Sequence, residues 1–153
     1  VLRTSLIVGF PGEEEEDFAD LLDFVKEVRF DRLGVFKYSR EEGTAAAKLE
    51  PQVPEEIKEE RFHRLMEIQQ EIAYNNNQKY VGKVLEVMID ELNDEYAIGR
   101  TRYDAPEVDN MVYIPEYGKL KKGDIVSCRI TEAFEYDLLG ETENEKTEVK
   151  PGK

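Results

Sequence analysis

Cysteine and histidine occur once each in this 153-residue chain, as Cys128 and His63. That scarcity excludes an internal disulfide and leaves no Cys-His, Ser-His or multi-histidine constellation for a self-contained nucleophile or metal site. Cys128 reads as a small buried apolar residue, and His63, among Glu59, Glu60 and Glu67, as an exposed one. No run approaches the roughly 20 apolar residues of a membrane helix, and no basic start, apolar centre and cleavage site mark a signal peptide. With the lone cysteine, those absences predict a cytoplasmic protein with no membrane partner. Basic residues are also scarce: 21 Lys and Arg stand against 35 Asp and Glu, a formal net charge of -14. A surface for nucleic acid normally gathers cations to displace counterions from phosphates. The acidic excess runs through both halves, with 10 basic and 18 acidic residues over 1–78 and 8 and 15 over 79–144. Such a surface repels phosphate at long range and attracts a basic partner, although solubility alone accounts for the same charge.

Forty per cent of the residues are apolar, enough for a core, and their spacing predicts an α/β part followed by an all-β part. Leu2 to Val8 reads as a buried strand closed by Gly9-Phe10-Pro11-Gly12. A helix follows, with Glu13 to Asp17 at its positive end and Phe18, Leu21, Leu22, Val25 and Val28 along one stripe. Leu33 to Tyr38 reads as a second strand, so the order suggests a parallel crossover unit. One such unit leaves both sheet edges open, which predicts further strands in an amino-terminal remainder of the same chain. Ser39 to Pro54 is loop-like. A long helix then starts near Pro54, carries Ile57, Arg61, Leu65, Ile68 and Ile72 at intervals of four or three, and ends at Asn75-Asn76-Asn77. Beyond Lys79 come short β-like runs, Lys83 to Ile89, Tyr96 to Thr101, Asn110 to Ile114 and Asp124 to Ala133, punctuated as in a small antiparallel barrel. From Glu141 onward charges and small polar residues predict a disordered tail.

Two places could hold a ligand in the first part. The turn Gly9, Phe10, Pro11, Gly12, Glu13 puts glycines and free backbone donors at the carboxyl end of a parallel strand, the edge where α/β proteins bind ligands. A tight turn without a ligand explains the same residues. Tyr38, Ser39, Arg40 and Thr44 follow the second strand on the same edge and offer hydroxyl and guanidinium donors; capping of their own loop is the alternative. In the second part, Arg100 and Arg102 precede a Pro-marked acidic loop with Asp104, Glu107 and Asp109. It reads either as a solvated hairpin loop or as a protein-binding one, with nothing to shift its acids toward acid-base work.

The segments Thr4 to Glu13 with Glu16-Asp17-Phe18, Phe36 to Thr44, Arg61 to Gln70, Gly99 to Asp109 and Glu135 to Leu138 together resemble the radical-SAM methylthiotransferases, in order up to Gly140. The first segment is shared with related radical-SAM enzymes. The resemblance implies strand-helix units ending a TIM-like catalytic barrel over 1–53, a connecting helix over 54–78, an OB-like TRAM β-barrel over 79–140 and a tail over 141–153. It places Gly9, Phe10, Pro11, Gly12 and Glu13 beside the adenosyl part of S-adenosyl-L-methionine. It also implies two 4Fe-4S clusters, one on a C-x-x-x-C-x-x-C triplet that cleaves SAM to a 5'-deoxyadenosyl radical and one on three further cysteines that delivers sulfur. None of those six cysteines is in this chain, so no catalytic or metal residue is assigned and the chain alone is expected to be inactive. Glu14 stands where the family often has Thr.

One branch of the family acts on a modified adenosine in tRNA, the other on the β-carbon of an aspartate in ribosomal protein S-twelve of the small subunit. The loop Asp104 to Asp109 looks like the second, and the acidic balance agrees, because a ribosomal protein is basic and tRNA is not. The resemblance therefore implies the ribosomal protein as substrate, with Tyr38, Ser39, Arg40, Arg100, Arg102, Asp104, Glu107 and Asp109 as candidate substrate contacts. The tRNA branch would need Lys79, Lys83, Lys119, Lys121 and Lys122 to cluster. A TRAM-like binding module on a degenerate barrel, without catalysis, is the remaining alternative.

Overall fold

The computed structural model describes residues 1–104 and 110–143. It divides into two compact units, Val1–Ala73 and Tyr74–Lys153.

In the first unit, β1 (Arg3–Val8) and β2 (Arg32–Lys37) pair in parallel, with Ile7 opposite Phe36 and Val8 opposite Lys37. Helix α1 (Glu15–Val28) makes the crossover between them. Its start is set by the Glu14 N–H, which donates to the Asp17 carboxylate at 2.8 Å, and its end by Arg29 in the left-handed region. Phe18, Leu22 and Val25 bury the predicted stripe against Val8, Phe30, Leu65 and Ile72. The last two belong to α2 (Glu55–Gln78), so the long helix supplies part of this core as well as continuing past it. A short 3-10 turn, Ala46–Lys48, interrupts the loop between β2 and α2.

The second unit is a closed barrel of β3 (Val84–Leu92), β4 (Tyr96–Thr101), β5 (Met111–Pro115), β6 (Ile125–Ala133) and β7 (Asp137–Thr142), in the order β3-β4-β5-β7-β6. All neighbours are antiparallel except β5 and β7. Alternate residues Val87, Ile89, Ala97, Val112, Ile114, Val126, Cys128, Ile130 and Leu138 fill the interior, as a period of two requires. The two nine-residue strands bend at register shifts between Ile89 and Glu91 and between Ile130 and Glu132. A glycine faces each: Gly99 lies opposite Ile89, and Gly140 opposite Ile130.

Two expectations need correction. Helix α2 does not end at the asparagines but runs through them to Gln78, because their side chains serve the barrel. Asn77 donates to the carbonyls of Phe134 (2.9 Å) and Glu135 (3.2 Å), and Gln78 donates to that of Ala133 (2.8 Å). Residues 141 and 142, assigned to the tail by composition, belong to β7, which closes the barrel between β5 and β6. The rest of that tail, residues 144–153, lies outside the described residues.

The Cys128 thiol is fully buried, and burial, reinforced by Glu141 and Glu143, pushes it up to about 12. The native state therefore favours the protonated thiol. Its stability is unaffected below the ordinary thiol value near 9 and is lost as pH rises from there toward 12. Alkylation at pH 8 should accordingly be limited by opening of the barrel, and modification of native protein as fast as of urea-unfolded protein would contradict the burial. Among the described residues, no helix is long and apolar enough to cross a membrane.

Candidate functional site

Parallel pairing of β1 with β2 brings their carboxyl ends together: the Tyr38 N–H extends the ladder to the Val8 carbonyl at 2.8 Å, and the Phe10 and Tyr38 rings meet edge to face at 5.4 Å. The 9–13 turn and the loop after β2 thus form one surface, as the sequence predicts. Gly9 and Gly12 both adopt positive φ, +79° and +85°, which a residue with a Cβ rarely accepts. Gly12 is otherwise in open space, and Phe10 is exposed. The Tyr38 hydroxyl is buried and has no hydrogen-bond partner among the described residues, a condition that in folded proteins calls for a specific reason.

Glu13 is already engaged. Its two carboxylate oxygens accept from the Gly9 N–H at 3.1 and 3.0 Å, and Arg61 of α2 donates to the same carboxylate at 2.8 Å and to the Glu13 carbonyl at 3.2 Å. Arg61 is buried, sits 5.7 Å from the Phe18 ring and also approaches Glu15 at 3.7 Å. A buried guanidinium needs such partners to offset its lost hydration. One turn earlier on α2, Lys58 is equally buried; it donates to the Tyr38 carbonyl at 3.1 Å and to Glu55 at 2.9 Å, and its stem packs where a Cβ on Gly9 would be. Arg64 adds an outer pair with Glu15 at 2.7 Å, and that bond holds the Glu15 carboxyl below its ordinary value.

The remaining candidates of this loop are occupied locally. Ser39 donates to Glu41 at 3.2 Å, Arg40 donates to the Ala47 carbonyl at 3.0 Å, and Thr44 donates to the Glu41 carbonyl at 2.8 Å. These bonds match the loop-capping alternative. His63 is exposed, 3.4 Å from Glu59. Sequence reasoning did not assign Lys58 or Arg61 to the site. The available signal was Arg61 itself, a cation inside an apolar stripe that would bury it.

In the barrel, Arg100 lies 3.6 Å from Asp90, and Arg102 donates to the Tyr103 hydroxyl at 2.9 Å while stacking on that ring at 4.9 Å. The tyrosine bond raises the Arg102 guanidinium above its ordinary value. A cleft of about 210 Å³ beside them is lined by Val84, Leu85, Glu86, Thr101, Arg102 and Tyr103. Asp104 points inward: buried, it accepts from the Thr101 hydroxyl at 2.8 Å and so shapes the turn leaving β4. Glu107 and Asp109 lie outside the described residues.

Residues 81–142 match the family model of the TRAM domain, which coincides with the closed barrel. The chain is 54% identical over 141 residues to a protein of Thermoanaerobacter sp. (strain X514) named ribosomal protein uS12 methylthiotransferase RimO, covering 92% of this chain and 32% of that one. A protein of the same name from Histophilus somni is 53% identical over 142 residues, with 92% and 32% covered. Another from Proteus mirabilis is 55% identical over 139 residues, with 91% and 31% covered. The chain thus spans about a third of the length of these curated relatives.

Proposed function

We propose, from its similarity to proteins named uS12 methylthiotransferase and its match to the TRAM domain, that this chain is part of an enzyme that transfers a methylthio group to the β-carbon of an aspartate in ribosomal protein uS12. The observation that carries this reading is the identity above 50% that extends across both units to proteins bearing that name. The first unit contributes a surface for S-adenosyl-L-methionine. The residues suit such a ligand in part: Gly12 and the Phe10 ring are exposed and can meet an adenosyl group, whereas the Tyr38 hydroxyl is buried and the Gly9 and Gly12 N–H groups are already bonded. Glu13 suits it less, since its carboxylate is committed to Gly9 and Arg61. The ligand then contacts the backbone of Gly12 and the rings of Phe10 and Tyr38, while Glu13 holds the turn behind them. When bound, SAM supplies the radical and methyl chemistry; no residue of this chain is assigned to the two 4Fe-4S clusters.

The barrel grips the substrate. Its residues 79–144 carry 15 acidic against 8 basic side chains, a balance that draws a basic protein and resists tRNA. Titration of this chain with uS12 and with tRNA at two salt concentrations should give saturable binding to uS12 that weakens with salt, and none to tRNA below about 100 μM. Tighter, salt-sensitive binding to tRNA would turn the reading to the tRNA branch. Binding to neither would leave the barrel without the substrate role.

A further inference from the structure

Helix α2 reaches both ligand-facing loops of the first unit with buried cations one turn apart, Lys58 on the end of β2 and Arg61 on the turn after β1. The contact through Arg61 is a relay: the guanidinium holds the Glu13 carboxylate, and that carboxylate accepts the Gly9 N–H. The two bonds close the five-residue turn on itself. Gly9 must keep its positive φ for its N–H to reach Glu13, and Gly12 its own for the chain to leave toward α1. The Gly12 N–H is tied in addition to the Pro51 carbonyl at 2.8 Å, in the loop that leads into α2. Beyond the bonds within the turn itself, the groups that hold it come from α2 and the segment before it. Phe10 and the backbone around Gly12 are left facing outward.

We propose that Arg61 is a positioning residue for ligand binding at this turn: without touching the ligand, it pre-forms the backbone that receives it by clamping Glu13. The inference rests on the reading that the 9–13 turn faces S-adenosyl-L-methionine. A clamp of this kind lowers the ordering cost of binding, so its removal shows in ligand affinity as well as in stability.

The test uses the full-length enzyme carrying this chain, with SAM affinity measured by equilibrium dialysis well below the melting temperature, beside the melting temperature itself. Arg61→Gln should weaken SAM binding by about tenfold or more, and Arg61→Lys, which keeps the charge on a shorter side chain, by less. Glu13→Gln should weaken it comparably, and the double variant Arg61→Gln/Glu13→Gln should be no worse than either alone, since the two act as one unit. Where Arg61→Gln yields no folded protein, the nearly isosteric Glu13→Gln decides by the same criterion. Affinity within twofold of the parent, with only the melting temperature lowered, would reduce Arg61 to a structural residue and overturn the proposal. A parent enzyme that binds no SAM would instead overturn the reading of the site on which it rests.

Discussion

Gly140→Ala is expected to destabilise the barrel by about 3 kcal/mol, seen as an earlier midpoint in urea unfolding followed by tyrosine fluorescence. The probe is selective, because the chain has no tryptophan and seven of its eight tyrosines lie at residue 74 or later. The cost comes from two neighbours. An added Cβ would overlap the Cys128 sulfur and stand 2.9 Å from the Arg129 carbonyl oxygen, with the Ile130 side chain at 3.4 Å. The carbonyl belongs to β6, which is tied to β3 on its other side, so it cannot retreat without opening the barrel. The sulfur, by contrast, can be removed by substitution. In a Cys128→Ala background the same change at Gly140 should therefore cost about half as much, the remainder being the carbonyl contact. An equal cost in both backgrounds would mean that strand flexibility, and not packing against Cys128, is what Gly140 supplies. Gly99 meets the same constraint at the other bend, where a Cβ would lie 2.6 Å from the Val87 side chain and overlap the Met88 carbonyl.

Why these bends need glycine also explains which parts of the fold were legible in the sequence. Strand β4 and helix α1 follow directly from local pattern, since each has one buried face, whereas β1, read as a buried strand, buries only Val8, and β2 has no fully buried residue. β7 was hidden because Asp137–Thr142 has one strongly buried hydrophobe, Leu138, and a glycine where alternation would put the next. Its strand character comes from pairing with β5 and β6, a long-range condition that no local window contains. The asparagines misled for a related reason. Their preference for ending helices is a local prior, overridden when Asn77 and Gln78 find carbonyls of the β6–β7 connection to satisfy. At the candidate site the glycines, Phe10 and Tyr38 were visible as a motif at a strand end. The groups that fix them, Lys58 and Arg61, were not, because they come from another element, 48 residues after Glu13 for Arg61 and 20 after Tyr38 for Lys58, through tertiary packing alone.

Substitution of Gly9 by alanine should be the most damaging single change in the first unit, costing about 2–4 kcal/mol. Hydrogen exchange of the α1 amides, read by mass spectrometry, isolates this unit from the barrel. Two effects add. The positive φ of +79° strains any residue with a Cβ, by about 1–2 kcal/mol. The Cβ would also overlap the Lys58 Cγ and stand 3.0 Å from its Cδ. Lysine stems are flexible, so the overlap could be relieved, but this one is buried and its ammonium holds the Tyr38 carbonyl and Glu55. Moving the stem therefore releases the end of β2 and leaves a buried charge to find new partners. Replacing Lys58 by alanine removes the steric part and keeps the φ strain, so Gly9→Ala in that background should cost only about 1 kcal/mol. If the cost is unchanged there, the backbone conformation alone requires the glycine, and Lys58 serves β2 independently. If it falls as expected, α2 dictates the shape of the turn sterically through Lys58 at Gly9. The carboxyl-end edge of the sheet is then set by a helix whose sequence lies entirely outside the glycine turn.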